Sequence, residues 1–262
     1  MRKVFDATPL QKNEHLSQLY GADIWLKRED LSPVRSYKLR GAFNAMRKRP
    51  KSKKFVCASA GNHAQGVAYM CRFFGVVGTI FMPVTTPQQK IQKTKMFGGE
   101  GVEIKLTGDY FDDCLQSAKL YCEKTDGHFL SPFDDDDVIE GQATVAVEIE
   151  KQLGEVPDQI ILPVGGGGLA SGVIGYFENK TQFTLVEPLG GACLWSALIA
   201  GKPIKLDNVD TFADGAAVGK IGSKTFKYLK DVGLANVLRI PEDRICLTML
   251  DMLNVEGLVL EP

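Results

Sequence analysis

The chain reads as an α/β protein whose parallel-type sheets carry helices on both faces. Three observations lead there. Short apolar runs alternate with amphipathic stretches along most of the sequence. Glycine or proline marks many of the seams between them. Four successive glycines, Gly165 to Gly168, stand between an apolar strand and a helical run, as parallel strand-helix units require.

The elements follow in order. An apolar helical stretch begins at Leu39. Phe55-Val56-Cys57 is a strand, and Ala64 to Phe74 a helix closed by Gly75. Gly78 to Met82 is the next strand. Thr86 is placed to cap a helix with Pro87 at its first position, and Gly98-Gly99 ends it. Val102 to Leu106 is a strand, Tyr110 to Lys124 a helix, and Gly141 to Leu153 another. Ile160 to Val164, Leu169 to Glu178 and Phe183 to Glu187 form a strand-helix-strand unit. Arg244 to Leu253 is helical, and Leu258-Val259-Leu260 begins a further strand.

Two stretches are candidate domain edges, the basic run Arg47 to Lys54 and the acidic run Asp134 to Asp137. They suggest a small domain, residues 54–137, inserted into a larger one made of residues 1–53 and 138–262. A strand opening at Leu258 leaves backbone groups in need of partners just before Glu261-Pro262, so a longer full protein is expected.

Composition narrows the function. With 262 residues, 44% hydrophobic and 24% charged, the chain can bury a sizeable core. A net charge of -1 gives no general electrostatic case for nucleic acid or an anionic membrane. No run approaches the roughly 18 apolar residues of a membrane helix, and no apolar segment follows Met1-Arg2-Lys3 as in a signal peptide. Cysteines at 57, 71, 114, 122, 193 and 246 form no Cys-x-x-Cys pair, and buried thiols in a reducing cytoplasm are expected. His15 and His128 carry no evident role. With no histidine cluster, no metal site is predicted.

Gly165, Gly166, Gly167 and Gly168 let the backbone turn several N–H groups inward, and the helix behind them adds unpaired donors and a positive dipole end. Phosphate is the natural guest. Gly165-x-Gly167-x-x-Ala170 also matches a dinucleotide fingerprint, with Glu187 near the position of a ribose-binding acid. This segment alone leaves both readings open.

Lys38 precedes the stretch that begins at Leu39. In a buried setting its amine loses a proton readily and can form an imine; exposed, it is an ordinary helix-start lysine. Ala58-Ser59-Ala60-Gly61-Asn62-His63-Ala64 follows a strand and opens a helix, which makes a second anion site suited to a carboxylate. His63 is either a base or a helix-start residue that exposes its ring. A phosphate seat, a carboxylate seat and one lysine together point to an amino-acid enzyme that uses pyridoxal phosphate. A dinucleotide enzyme needs neither Lys38 nor the Asn62 turn.

At these residues the chain resembles the threonine dehydratases (threonine ammonia-lyases) of the fold type II pyridoxal-phosphate enzymes. The resemblance runs through Thr8-Pro9-Leu10, Leu26-Lys27-Arg28-Glu29-Asp30-Leu31, Ser36-Tyr37-Lys38-Leu39-Arg40-Gly41-Ala42 and Ser59 to Gly66. It continues through Met82 to Pro87, Pro132-Phe133-Asp134-Asp135, Gly165 to Leu169 and Asp214-Gly215-Ala216. It implies a tryptophan synthase β-like fold with two open parallel-type sheet domains. Lys38 would hold pyridoxal 5'-phosphate as an imine and later move the α-proton. Tyr37, where many relatives have Phe, would lie beside the ring. Asn62 would bond the cofactor's 3-hydroxyl. Gly165, Gly166, Gly167, Gly168 and Leu169 would bind the phosphate, with Gly215 added to the cofactor set. Ser59, Ala60, Gly61, Asn62 and His63 would hold the substrate carboxylate.

The implied reaction converts L-threonine to 2-oxobutanoate and ammonia, and the wording around Val34 to Tyr37 and Thr85 to Pro87 is similar to the biosynthetic branch that feeds isoleucine. Serine racemase or serine dehydratase activity, or an inert truncated fragment, are the alternatives. Two family features have no counterpart in the sequence. The late turn that contacts the pyridine nitrogen is absent, as is the isoleucine-sensing C-terminal domain. Relatives that bind a divalent cation pair a Glu like Glu187 with a later Asp, which Pro188 to Cys193 lacks, so that metal is not expected. The acidic loop Asp134 to Asp137 is read as solvated rather than as an ion site. A homo-oligomer, dimer or tetramer, is expected.

Overall fold

A computed structural model describes residues 4–261. β1 (Leu10–Lys12) and β2 (Trp25–Lys27) pair antiparallel around α1 (Glu14–Tyr20), and α2 (Lys38–Arg47) follows. Then come β3 (Lys54–Ala58), α3 (Asn62–Phe74), β4 (Val77–Met82), α4 (Gln88–Gly98), β5 (Val102–Leu106), α5 (Phe111–Lys124) and β6 (His128–Phe129). The order closes with α6 (Asp136–Leu153), β7 (Gln159–Pro163), α7 (Gly168–Phe177), β8 (Gln182–Pro188), α8 (Cys193–Ala200), α9 (Ser223–Leu229), β9 (Val237–Ile240) and α10 (Glu242–Glu256).

Two parallel sheets result, ordered β5-β4-β3-β6 and β7-β8-β9. The first takes its strands from residues 54–129 and the second from residues 159–240. A division between residues 137 and 138 falls two residues inside α6. β3 is buried from Phe55 to Ala58, the pattern of a parallel strand covered on both faces. One core gathers Leu39, Phe55, Val67, Met70, Ile80 and Met82; another gathers Val145, Leu162, Val173, Leu185, Leu194 and Leu229. Burying each of the larger side chains contributes about 1.5–3 kcal/mol.

α2 packs on both α3 and α6, and so links the two sheets. Its crossing with α6 is built from glycines. A Cβ on Gly141 would lie 2.5 Å from the Arg40 carbonyl oxygen and 2.7 Å from Gly41 Cα. The next turn is pinned by charge. Arg40 is wholly buried, with its guanidinium bonded to Glu29 (2.7 and 2.8 Å), Glu148 (2.8 Å), Thr8 (3.2 Å) and Thr144 (3.1 Å). Lys27 joins the same group through Glu148 and the Thr8 carbonyl.

Several expectations need correction. Thr86 does not cap α4. Pro87 takes the cap position in extended conformation (φ −56°, ψ 136°), and the Thr86 hydroxyl is buried without a partner. The Pro87 carbonyl already accepts the N–H of Ile91 while its own ψ stays extended, so the helix starts one residue later than predicted, at Gln88. α6 begins five residues before Gly141, because the Asp135 carboxylate accepts from the N–H groups of Asp137 and Val138. Leu258 to Leu260 form no strand. Gly257, at φ 64°, closes α10, and the residues beyond it run on without a pairing strand.

Candidate active site

Lys38 is the first residue of α2, and a strained turn delivers it there. Arg35 sits at φ 57°, held by a bond from its N–H to the Ser32 carbonyl, while Ser32 Oγ both donates to the Ser36 carbonyl (3.0 Å) and accepts from the Ser36 N–H (2.9 Å). Ser36 Oγ then accepts the Lys38 N–H at 3.2 Å. The Lys38 amine donates to the Pro132 carbonyl at 3.1 Å and lies 5.5 Å from the centre of the Tyr37 ring. Burial lowers its pKa from 10.5 to about 8, even though part of the side chain is accessible from the cleft. Its place at the positive end of a helix adds to the disfavour of an ammonium. Burial also pushes the Tyr37 phenol up to about 12.

The glycine run leaves β7 and enters α7. Gly167 adopts φ 89°, the left-handed region where glycine is at home. Gly166 must be glycine for a different reason, since a Cβ there would lie 2.1 Å from Phe133 Cδ1. Thr225 Oγ1 (2.8 Å) and the Gly222 N–H (3.4 Å) fix the Gly166 carbonyl. No side chain caps α7, so its first N–H groups face the loop. A cleft open to solvent is lined by Tyr37, Lys38, Pro163, Gly165 to Leu169, Gly215 and Val218.

Thus the amine and the glycine cradle, over a hundred residues apart in sequence, share one cleft. The turn at Ser59 to His63 does not line that cleft. It reaches the lysine through α3, whose Gly66 packs directly on the backbone of Lys38 and Leu39. His63 is buried, and its Nε2 meets the Leu130 carbonyl at 3.1 Å, which assigns Nε2 as the donor. Burial foremost, then the Lys38 charge, lowers its pKa to about 3, so the ring is neutral and turned into the core. Asn62 Nδ2 donates to Glu261 at 2.8 Å. Sequence reasoning gave no role to Glu261 or to the Pro132 carbonyl; a main-chain oxygen has no residue signature.

A family model of pyridoxal-phosphate dependent enzymes matches residues 2–262. The chain belongs to the pyridoxal-phosphate dependent enzymes. Among this family's curated members, it is 47% identical over 261 residues to the L-threonine dehydratase biosynthetic IlvA of Bacillus subtilis, covering 97% of the chain and 62% of that protein. It is 43% identical to the Lactococcus lactis counterpart, covering 100% and 65%. The chain therefore spans somewhat less than two thirds of the length of these relatives. Among solved structures, the processed form of threonine deaminase isoform 2 from Solanum lycopersicum superposes with a TM-score of 0.91, at 38% identity, covering 99% of this chain and 76% of that one. Maize serine racemase follows at 0.90 and 27% identity, covering 98% and 78%.

The residues present fit this enzyme family's cofactor. A phosphate needs a cradle without Cβ atoms, and Gly166 and Gly167 supply one; an aldehyde needs a lysine of lowered basicity in the same cleft, and Lys38 is there. The dinucleotide alternative loses its ribose-binding acid. Glu187 is fully buried and accepts the N–H groups of Leu194 (2.7 Å) and Trp195 (2.8 Å) at the start of α8. Among the described residues no cluster of three or more His, Cys, Asp or Glu could hold a metal ion, and no helix is long and apolar enough to cross a membrane.

Proposed function

We propose that this chain carries the catalytic machinery of a pyridoxal-phosphate dependent threonine ammonia-lyase, converting L-threonine to 2-oxobutanoate and ammonia. One observation carries the reading: an amine of lowered basicity lines the same cleft as four glycines. The relatives named threonine dehydratase supply the substrate class.

Pyridoxal phosphate supplies an electron sink for charge that develops at the substrate α-carbon. The protein supplies the rest. Gly165 to Leu169, with Gly215 at the rim, would hold the phosphate on backbone N–H groups and a helix dipole. Lys38 would hold the aldehyde carbon through Nζ and, once released, take the α-proton at the same atom. Tyr37 would flank the ring as a neutral phenol. Asn62 would offer an amide hydrogen to the ring hydroxyl, and the turn from Ser59 to His63 that opens α3 would seat the substrate carboxylate. For His63 that role falls to its backbone, since its ring is committed to Leu130.

The decisive assay supplies threonine and pyridoxal phosphate, detects 2-oxobutanoate, and compares the wild type with Lys38→Ala. Product from the wild type alone is the expected result; equal product from both would end the proposal. Borohydride reduction followed by peptide mapping should place the cofactor on Lys38. Chiral analysis with L-serine separates elimination from racemisation. A homo-oligomer and a cytoplasmic setting belong to the same proposal, and sedimentation velocity tests the first.

A further inference from the structure

We infer that Asp134 is a positioning residue that couples the resting place of the Lys38 amine to the phosphate cradle. The inference rests on the function proposed above. Asp134 belongs to an acidic run that reads from sequence as a solvated loop, yet its carboxylate is turned inward onto the start of α9. Oδ1 accepts the N–H groups of Lys224 (2.7 Å) and Thr225 (3.3 Å), and Oδ2 accepts that of Ser223 (3.1 Å). The approach requires glycine at 222, where a Cβ would fall 2.5 Å from Oδ1. Three N–H donors on one carboxylate make a charge-assisted cap, stronger than neutral bonds.

The cap acts in two directions. Toward the cradle, it fixes Thr225 and Gly222, which together hold the Gly166 carbonyl and so set the direction of the glycine loop. Toward the amine, it anchors a short segment with no regular structure. Ser131 Oγ accepts the Asp134 N–H at 3.0 Å, the Phe133 ring lies against Gly166 while its backbone lies against Gly168, and the Pro132 carbonyl receives the lysine proton. Four adjacent residues thus span the distance between the two halves of the chemistry. Asp134 touches neither the amine nor the phosphate seat; it acts through Pro132, Phe133 and Thr225.

The test compares dissociation constants for pyridoxal phosphate and for pyridoxal, which lacks the phosphate, by cofactor absorbance and fluorescence in the wild type, Asp134→Ala, Asp134→Asn and Thr225→Val. Loss of the cap should weaken pyridoxal phosphate more than pyridoxal. The affinity ratio should fall at least about tenfold in Asp134→Ala, the size expected for a charge-assisted hydrogen bond. Asp134→Asn, with one acceptor oxygen left, should fall between. A protein merely loosened would lose both ligands in proportion. Thr225→Val keeps the shape of the side chain and removes the hydroxyl's bonds to the Gly166 and Gly222 carbonyls, so it should lower the ratio even where Asp134→Ala fails to fold. An unchanged ratio in Thr225→Val, or in folded Asp134→Ala, overturns the inference. A wild type that takes up no cofactor on Lys38 overturns the function itself.

Discussion

Lys38 is neutral in the fold at a pH where a lysine in the unfolded chain is charged. Its pKa of about 8, against 10.5 for the ordinary amine, means that the charged form is disfavoured inside. Below pH 8 that penalty acts in full on the cofactor-free protein; it fades as pH rises toward 10.5, because the unfolded state then sheds its proton too. Lys38→Met should therefore raise cofactor-free stability at pH 7 by roughly 2–3 kcal/mol, with the gain vanishing above pH 10, as read from urea midpoints. Imine formation with added pyridoxal phosphate should accelerate through about pH 8; a midpoint near 10.5 would contradict the burial of the amine. Glu187 shows the opposite case. Burial raises its carboxyl to about 7, against two backbone donors that favour the anion. The preference for its neutral form stabilises the fold fully below pH 4.5 and is lost as pH rises through 7. Glu187→Gln should thus be disfavoured in acid, and its deficit should shrink by about 2–3 kcal/mol between pH 5 and pH 8.

At the scale of elements, α2 holds Lys38 in place through Arg40, two positions further on. Removing that guanidinium leaves Glu29 and Glu148 facing each other without it. Arg40→Met should cost about 3–5 kcal/mol in chemical denaturation, far more than its change in hydrophobicity suggests. The carboxyl of Glu148 is held below its usual value, although its own burial, the largest influence, opposes this; Arg40 and Lys27 prevail. Its share of stability is present above pH 4.5 and is lost as pH falls through that lowered value. The sequence made strands such as β3, β4, β5 and β8 legible because each is a short apolar run between turn residues. The glycine loop and Lys38 were legible for the chemistry their residue types permit. α8 and α9 were not, being short and lacking caps of their own; α9 takes its cap from Asp134, some ninety residues earlier, which no local pattern shows. His63 was misjudged for a similar reason. A helix-start histidine looks exposed until Leu130 arrives from another part of the chain.

Across the whole molecule, the two sheets meet through α2 and through exposed ion pairs such as that between Lys90 and Asp214, the residue beside Gly215. Such pairs contribute little, so Lys90→Ala should shift the urea midpoint by less than about 1 kcal/mol. Its effect should appear instead as weaker salt dependence of cofactor uptake. α10 leaves Leu247, Leu250, Leu253 and Val255 exposed. Exposed apolar side chains on one helix favour association, so light scattering should rise with concentration and fall in Leu250→Lys/Leu253→Lys. The glycine crossing of α2 and α6 has a reach of its own. One methyl added at residue 141 would act as a wedge between two rods, tilting the rod whose tip bears the Lys38 amine. Damage to turnover from a residue that does not itself line the cavity is the outcome to look for.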